Sequence, residues 1–213
     1  MKIGIIGSGN IGGNLGTHWS KVGHEVIFSS RNPNELNDLV LEAGANAKAA
    51  SLAEAFKANA DVYLLAVPFK AIDEIAELYA GEYSNKVIID ATNPYPERDG
   101  AIAQSVLDAN FNSSEYTAMK FGTAKTVKAF NSIFAKVLKE HAFSNTKRIA
   151  IPFAAQDQEG RTVGKQLIED IGFDALYIGG LSDTRIMDPG QALFGKALKK
   201  SDLQDLVNST KVS

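Results

Sequence analysis

A glycine-rich loop lies close to the amino terminus, with the sequence Gly7-Ser8-Gly9-Asn10-Ile11-Gly12. This G-x-G-x-x-G spacing follows a short apolar run and precedes an amphipathic stretch, which is the strand–loop–helix order of a dinucleotide site. Gly7 would permit a tight turn, Gly9 would let the backbone approach a pyrophosphate, and Gly12 would allow close helix–strand contact. Free N–H groups at the helix start would attract the diphosphate. The motif predicts dinucleotide binding, and a glycine-rich turn without a ligand is the alternative.

The end of the second predicted strand, Ser29-Ser30-Arg31-Asn32-Pro33, indicates which dinucleotide is preferred. A site for NAD usually carries Asp or Glu here, because a carboxylate accepts hydrogen bonds from the ribose hydroxyls. Arg31 can instead bind a 2′-phosphate through charge-assisted hydrogen bonds, to which the Ser29 and Ser30 hydroxyls can add. The segment favours NADP(H) over NAD. It also disfavours an S-adenosylmethionine site, which would need an acidic residue. A solvated loop arginine is the alternative.

The other loops expected at the carboxyl edge of the sheet contain small, polar and aromatic residues but no obvious acid or base. They begin at Val67-Pro68-Phe69, Ala91-Thr92-Asn93-Pro94, Asn131-Ser132 and Phe153-Ala154-Ala155. Ligands of open α/β sheets bind outside this edge. A site built from such loops would hold and orient a ligand rather than exchange protons with it.

The histidines do not have predicted positions that suit catalysis. His18 lies on the first predicted helix, His24 precedes the second strand, and His141 ends a later helix. No activated nucleophile and no His/Asp/Glu set with metal-ligand spacing is visible. A dehydrogenase acting on an alcohol needs a group for the hydroxyl proton, whereas hydride exchange between two redox rings depends mainly on positioning. We therefore predict no catalytic side chain and no metal, and favour the second chemistry.

Short β-branched runs alternate with amphipathic stretches along the chain, which is the pattern of βαβ units. Several runs are apolar at successive positions, as strands covered on both faces must be. These features predict an α/β fold of Rossmann type, with a doubly wound, mostly parallel sheet and helices on both faces. The predicted strands are Lys2–Ile6, Glu25–Ser29, Asp61–Val67, Lys86–Asp90, Thr126–Phe130, Arg148–Pro152 and Ala175–Ile178. The apolar stripes of the predicted helices are Ile11, Leu15 and Trp19; Ile72, Ile75, Ala76 and Tyr79; Ile133, Phe134, Val137 and Leu138; and Val163, Leu167, Ile168 and Ile171.

Length and composition predict a single NADP-binding domain over residues 1–213. The formal net charge of -3 and the lack of a basic cluster argue against nucleic acid as a partner. The absence of cysteine excludes a thiol nucleophile and fits a reducing cytoplasm. No apolar run has the length that a membrane span requires. Asn93–Gly100 and Asn110–Glu115 are predicted to be loops, and the terminus from Leu203 is expected to fray because its periodicity is lost.

Four segments in combination resemble the coenzyme F420-dependent NADP oxidoreductase family. They are Gly7–Gly12, Ser29-Ser30-Arg31-Asn32-Pro33, Val127-Lys128-Ala129-Phe130-Asn131 and Gly180-Leu181-Ser182-Asp183-Thr184-Arg185. The first is common to many families, and the last two are more specific. The likeness runs from Met1 to about Pro189 and extends to the NADPH-binding domain of the Steap metalloreductases. It implies a homodimer that transfers hydride between NADP(H) and a deazaflavin, coenzyme F420, or a flavin such as FMN or FAD.

The same resemblance implies which residues would contact each part of NADP(H). The diphosphate would contact Ser8, Gly9, Asn10 and Ile11, and the 2′-phosphate would contact Ser30 and Arg31. The adenosine-ribose side would contact Val67 and Pro68. The nicotinamide would contact Ala91, Asn93 and Asn131. The Gly180–Arg185 segment would close the pocket of the second ring. Family members can carry further basic residues after the arginine, where this chain has Asn34, Glu35 and Leu36.

Two other functions stay open at this stage. An imine or pyrroline-5-carboxylate reductase begins with a similar glycine-rich loop and Ser-Arg-Asn segment, but it typically adds a long helical dimerisation domain for which 213 residues leave no room. A non-catalytic NADPH-binding or sensing module would also lack acid–base residues. Turnover of a cyclic imine without a flavin would favour the first function. Tight NADPH binding without oxidation would favour the second.

Overall fold

The computed structural model describes residues 1–109, 111–144 and 146–211, and its strands form one sheet. The strands are β1 (Lys2–Ile6), β2 (Glu25–Ser29), β3 (Ala47–Ala50), β4 (Val62–Leu65), β5 (Val87–Asp90), β6 (Lys125–Ala129), β7 (Ala150–Ala155) and β8 (Asp174–Gly179). Their order in the sheet is β3-β2-β1-β4-β5-β6-β7-β8. Pairing is parallel throughout except between β6 and β7, which are antiparallel. The predicted Rossmann-type, mostly parallel sheet is confirmed.

Helices connect the strands and cover the sheet. They are α1 (Asn10–Lys21), α2 (Asn37–Ala43), α3 (Leu52–Lys57), α4 (Ile72–Leu78), α5 (Pro96–Asp99), α6 (Ala101–Asp108), α7 (Ser113–Lys120), α8 (Ala135–His141), α9 (Gln158–Asp170) and α10 (Lys200–Lys211), with short 3₁₀ turns at Pro33–Leu36, Phe69–Ala71 and Leu181–Met187. Within the described ranges, none of these helices is both long enough and apolar enough to cross a lipid bilayer.

The two faces of the sheet bury separate hydrophobic clusters, as a doubly wound fold requires. Successive residues of β1 show the division, since Ile5 belongs to one cluster and Ile6 to the other. Trp19 of α1 is fully buried in the first cluster, and its Nε1 donates to the Leu167 carbonyl oxygen at 2.9 Å. Phe56 of α3 is fully buried in the second. Predicted stripe residues such as Leu15, Ile75 and Leu167 are buried as expected, but Phe134 precedes α8 and is 54% exposed, so the predicted burial of that residue is wrong.

The order of the strands creates a crevice beside β1. The chain adds β2 and β3 on one side of β1 and then crosses to add β4, β5 and β6 on the other. The connections after β1 and β4 therefore leave the carboxyl edge of the sheet in opposite directions. Such a switch point is where open α/β sheets bind ligands.

The structure corrects four expectations about individual segments. A further strand, β3, lies at the edge beside β2, where none was predicted. Residues 113–115 of the predicted polar loop begin α7 rather than a loop, while Asn110 lies outside the described residues. The chain after Leu203 continues as α10, and Leu203 and Val207 are buried against β7 and β8, so the expected fraying is wrong for residues up to 211. The predicted loop at 93–100 contains the short helix α5.

Candidate functional site

The glycine-rich loop joins β1 to α1, and two of its glycines are required by the fold itself. Gly7 has a φ of +100°, which side chains rarely adopt, and a Cβ there would lie 2.5 Å from the Ala66 carbonyl oxygen. A Cβ on Gly12 would overlap the carbonyl oxygen of Gly7. Gly9 differs from both, because its φ of -78° suits any residue and no protein atom lies within 4 Å of a Cβ built on it. The fold leaves the space beside Gly9 open.

The amino end of α1 lies directly beside that space. The helix begins at Asn10, with Gly9 as its cap residue, and no side chain caps this end. Its first turn contains no acidic residue. The N–H groups of a first helical turn have no partner within the helix and carry a partial positive charge, so they are available to an anion. The Ser8 hydroxyl donates to the Ser29 carbonyl oxygen at 3.0 Å and ties the loop to the end of β2. The loop fits a diphosphate.

The three residues at the end of β2 differ in what they can offer a ligand. The Ser29 side chain is buried, and its hydroxyl donates to the Ile5 carbonyl oxygen at 2.7 Å, so the hydroxyl proton is already used within the fold. The Ser30 hydroxyl accepts from the Asn32 backbone N–H at 3.1 Å and keeps its own proton to donate. Arg31 is exposed, and no hydrogen bond or ion pair joins its guanidinium to another described residue. Ser30 and Arg31 therefore stay available to an anion.

A cleft of about 340 Å³ lies at the carboxyl edge of the parallel strands, beside the start of α1. Its size is that of a small-molecule or cofactor pocket. The predicted cofactor residues that line it are Asn10, Ile11, Val67, Pro68, Ala91, Asn93 and Asn131. The remaining lining residues are Ala66, Thr92, Tyr95, Arg98, Phe130, Ile133, Phe134, Ala135 and Phe194. The cleft thus joins predicted residues from four separate segments, those that follow β1, β4, β5 and β6. Its lining does not include Gly7, Ser8, Gly9, Gly12, Ser29, Ser30 or Arg31.

Two other predicted segments lie away from this cleft. Residues 153–155 belong to β7, and because β7 is antiparallel to β6, its carboxyl end is at the opposite edge of the sheet. Residues 180–185 pack against α7, where Asn112 Nδ2 donates to the Ser182 carbonyl oxygen at 2.8 Å and the Ser114 and Thr184 hydroxyl oxygens lie 2.6 Å apart. These residues are not part of the cleft lining, whereas Phe194, further along the chain, is.

Asn93 and Asn131 form a reciprocal pair across the ends of β5 and β6. Asn93 Nδ2 donates to the Asn131 carbonyl oxygen at 2.7 Å, and Asn131 Nδ2 donates to Asn93 Oδ1 at 3.1 Å. Asn131 Nδ2 also donates to the Met187 carbonyl oxygen at 3.0 Å. Because a carbonyl can only accept, this last bond fixes which end of the amide faces it. Both side chains are buried, and both residues line the cleft.

The backbone turns sharply at Phe130, between β6 and Asn131. Phe130 has a φ of +64°, a left-handed conformation that bulky residues rarely adopt. Its ring is buried and meets the Trp19 ring edge-on, with the centroids 5.9 Å apart. Strained conformations of this kind persist where the surroundings over-determine them, and they concentrate at functional sites. The turn brings Asn131 beside Asn93.

A fully buried ion pair lies beneath these two asparagines. Lys128 Nζ donates to Asp90 Oδ2 at 3.0 Å and to the Thr92 carbonyl oxygen at 2.7 Å. The other oxygen of Asp90 accepts from the Thr92 backbone N–H at 2.8 Å and from its hydroxyl at 2.6 Å. The Thr117 hydroxyl donates to Asp90 Oδ2 at 2.9 Å. Both charged side chains have 0% exposure, so the pair is shielded from water.

Sequence reasoning missed this pair, although a signal for it was present. A lysine inside a strand that is covered on both faces needs a buried anion, because an unpaired charge there is very costly. Lys128 occupies such a strand, and Asp90 ends the strand beside it. The register pairs the two positions directly. A second buried carboxyl, Asp188, accepts from the Ser113 hydroxyl at 3.0 Å, and burial raises its pKa above the ordinary value against the opposing effect of Lys128.

The mouth of the cleft is formed by two aromatic rings. Phe134 is 54% exposed, and the Phe194 ring meets it edge-on with the centroids 5.7 Å apart. The Gly195 N–H donates to the Ser132 carbonyl oxygen at 2.7 Å, which holds the segment carrying Phe194 over the end of β6. Phe134 is thus an exposed apolar side chain at the edge of the cleft. The two rings give this edge an apolar surface.

One basic side chain, Arg98, reaches the same cleft from α5. Its Nη2 donates to the Asn93 carbonyl oxygen at 2.8 Å and to Asp99 Oδ2 at 2.7 Å. Burial alone would raise the pKa of Asp99, but hydrogen bonds from Arg98 and from the Tyr95 and Lys70 backbone outweigh it, and the pKa is lowered. Asp99 is therefore ionised and anchors Arg98. The guanidinium in turn braces the chain at Asn93.

The histidines occupy other parts of the molecule. His24 lies between the terminal amino group and Asp170, at 3.2 and 3.0 Å respectively. His141 Nδ1 lies 3.2 Å from the Lys147 carbonyl oxygen. His18 packs edge-on against Phe143, and burial lowers its pKa with a smaller contribution from Lys21. None of the three lines the cleft.

Comparison with known proteins gives relatives along nearly the whole chain. The model of the family "NADP oxidoreductase coenzyme F420-dependent" matches residues 2–94. The chain is 30% identical over 207 residues to the F420-dependent NADP reductase of Methanothermobacter thermautotrophicus, with 88% of this chain and 85% of that protein covered. It is 26% identical over 184 residues to the metalloreductase STEAP3 of Rattus norvegicus, covering 86% of this chain but 35% of that protein.

A solved structure shares the fold over nearly the whole chain. The crystal structure of a hypothetical protein, SMa0349 from Sinorhizobium meliloti, superposes with a TM-score of 0.80 and 27% sequence identity, covering 94% of this chain and 96% of that one. The chain belongs to the F420-dependent NADP oxidoreductase family.

Proposed function

We propose that this protein transfers hydride between NADP(H) and a second redox cofactor of the deazaflavin or flavin type. One observation carries the proposal: the cleft runs from the start of α1 to the aromatic pair of Phe134 and Phe194, and its described lining contains no carboxylate or histidine. Tyr95 is the ionisable phenol in that lining, and burial raises its pKa, so it keeps its proton. A site of this kind suits the stacking of planar rings better than proton exchange with an alcohol.

The proposed NADP(H) site extends from the end of β2 to the ends of β5 and β6. The first turn of α1 and the open space at Gly9 would take the diphosphate, and Ser30 and Arg31 the 2′-phosphate. Val67 and Pro68 would line the ribose side. Ala91, Asn93 and Asn131 would border the nicotinamide, whose ring supplies the hydride when the cofactor is bound.

The second ring would lie at the mouth of the cleft, against Phe134 and Phe194. Stacking on a phenyl face is worth about 0.5–1.5 kcal/mol beyond the buried area, and it fixes the plane of the ring. Hydride transfer needs the reacting atoms within about 3–3.5 Å of each other. The side chains of the cleft would therefore hold the nicotinamide and the second ring at this distance and would exclude water. The relative in Methanothermobacter, by its name, uses coenzyme F420. This supports a deazaflavin as the first acceptor to test.

The acceptor is tested by following NADPH oxidation through the nicotinamide absorbance, with coenzyme F420, FMN, FAD and no acceptor in parallel. We expect rapid oxidation with one of these tricyclic acceptors and none without an acceptor. Tight NADPH binding without oxidation in any of the reactions would instead favour a sensing module. Turnover of a cyclic imine with no flavin present would favour an imine reductase.

Replacement of Arg31 tests the choice between the two nucleotides. Arg31→Ala should weaken NADPH binding by at least about tenfold, because a charge-assisted hydrogen bond is worth about 1.5–3 kcal/mol, and should leave NADH binding unchanged. Binding is measured by titration of nicotinamide fluorescence. Lys57→Ala is the matched control, since Lys57 is an exposed cation that ends α3 at the opposite edge of the sheet. Equal weakening of NADPH and NADH would contradict the 2′-phosphate assignment.

A further inference from the structure

The buried ion pair of Asp90 and Lys128 holds Thr92, which is itself a residue of the cleft lining. Asp90 accepts both polar hydrogens of Thr92, and Lys128 donates to the Thr92 carbonyl oxygen. All three polar groups of this residue are therefore held by the pair. The next residue along the chain is Asn93, which lines the cleft. The pair thus fixes the peptide from which Asn93 projects.

Packing alone does not explain why two charges are buried here. Removing a carboxylate and an ammonium from water is costly, and well-packed apolar residues of similar volume often give equal or greater stability. What apolar side chains cannot do is hold a backbone N–H, a hydroxyl and a carbonyl group in one fixed arrangement. The short bonds at Thr92, between 2.6 and 2.8 Å, do this. The ion pair therefore fixes the position of the Thr92 polar groups rather than adding stability to the fold.

The fixed arrangement continues from Asn93 to two other segments. Asn93 and Asn131 exchange hydrogen bonds, and Asn131 Nδ2 reaches the Met187 carbonyl oxygen. Arg98 holds the Asn93 carbonyl oxygen from the other side at 2.8 Å. The ends of β5 and β6 are therefore connected twice, once by the ion pair beneath and once by the asparagine pair at the surface of the cleft. A shift of Thr92 would move Asn93 and, with it, Asn131.

We propose that Asp90 and Lys128 are positioning residues, which hold the Asn93–Asn131 pair in place against the nicotinamide half of NADP(H). The proposal rests on the proposed function for the placement of the nicotinamide at these asparagines. Neither Asp90 nor Lys128 belongs to the described lining of the cleft, so both act through Thr92 and Asn93 rather than on the ring.

The test uses the double variant Asp90→Asn/Lys128→Met, which removes both charges together and leaves neither one unpaired. Asparagine can still accept from Thr92, but methionine cannot donate to the Thr92 carbonyl oxygen. The matched control is Lys125→Met/Glu159→Gln, which removes the ion pair at the other end of β6. For each protein we would measure binding of 2′,5′-ADP, which lacks the nicotinamide, binding and fluorescence of NADPH, and kcat with the acceptor found above.

We expect the double variant to bind 2′,5′-ADP like the wild type but to give weaker fluorescence of bound NADPH, because the nicotinamide is held less firmly. Its kcat should fall by about 10- to 100-fold, with a larger deuterium isotope effect, since a misplacement of about 1 Å costs about a hundredfold. The control should match the wild type. Unchanged NADPH fluorescence in the double variant would overturn the proposal, and so would equal loss of 2′,5′-ADP and NADPH binding. These binding results decide it even if no acceptor supports turnover, which would contradict only the proposed function.

Discussion

A Gly9→Val variant should keep the melting temperature of the wild type and lose NADPH binding by about a hundredfold or more. The two effects separate because the fold makes no use of the missing side chain at this position: the φ of Gly9 is -78°, and a Cβ there meets no protein atom within 4 Å. The valine would instead fill the space where the diphosphate approaches α1. Loss of two charge-assisted hydrogen bonds alone would remove about 3–6 kcal/mol of binding free energy.

Gly12→Ala is the matched control for this experiment. Its Cβ would overlap the Gly7 carbonyl oxygen, which is backbone and cannot move without shifting the loop. This variant should therefore lose thermal stability as well as NADPH binding. Thermal unfolding and fluorescence titration of the two variants give the comparison. If Gly9→Val bound NADPH as tightly as the wild type, the assignment of this loop to the diphosphate would be wrong.

The single variant Lys128→Met should lower the free energy of unfolding by about 3–5 kcal/mol, because it leaves Asp90 buried without its cation. Adding Asp90→Asn should restore most of this loss, since the second change removes the unpaired charge. Chemical denaturation of the single and double variants measures both values. This recovery is the behaviour of a coupled pair, and it keeps the double variant folded for the binding experiments.

Two results would contradict this account of the pair. A loss below about 1 kcal/mol in Lys128→Met would mean that Asp90 is already compensated by its bonds from Thr92 and Thr117, which are neutral donors. Failure of Asp90→Asn to restore stability would mean that the lysine contributes through its aliphatic packing rather than its charge. The control Lys125→Met should change stability by less than about 1 kcal/mol, because its partner Glu159 is 57% exposed.

Those parts of the fold that bury apolar side chains at regular spacing were predictable from the sequence. β1, β2, β4 and β5 carry apolar residues at successive positions, which only a strand covered on both faces can bury. The glycine-rich loop was predictable for a different reason, because the φ of +100° at Gly7 and the overlap of a Gly12 Cβ with the Gly7 carbonyl oxygen both arise within the loop itself. Local signals of these two kinds do not depend on distant contacts.

Elements stabilised by distant contacts or by polar contacts were not predictable in the same way. β3 has the sequence AKAA, whose alanines favour helices, and it becomes a strand only because β2 offers a free edge. α7 buries Ser113, Ser114 and Thr117, so it has no apolar stripe, and its partners lie far away in sequence at Thr184 and Asp188. The capping box of Asn112 and Glu115 was a usable local signal.

The residues of the candidate site fall into the same two groups, those that local signals predict and those that depend on distant contacts. The residues that line the cleft from the first half of the chain follow predicted strands, and seven predicted residues do line it. The Asp90–Lys128 pair required knowledge of the register between β5 and β6, and the roles of Met187 and Phe194 required the antiparallel return through β7. A strand direction cannot be inferred from periodicity, which is why residues 153–155 were assigned to the wrong edge.

The hydrogen bond from Asn131 to the Met187 carbonyl oxygen joins positions that are 56 residues apart in the sequence. A chain emerges from the ribosome with its amino-terminal part first. β1, α1 and β4, which shape the glycine-rich loop, are therefore synthesised long before Met187. A nascent chain can therefore fold the glycine-rich loop early, but the hydrogen bond that holds Asn131 to Met187 forms only after residue 187 has been made. The two ends of the proposed NADP(H) site are thus completed at different times.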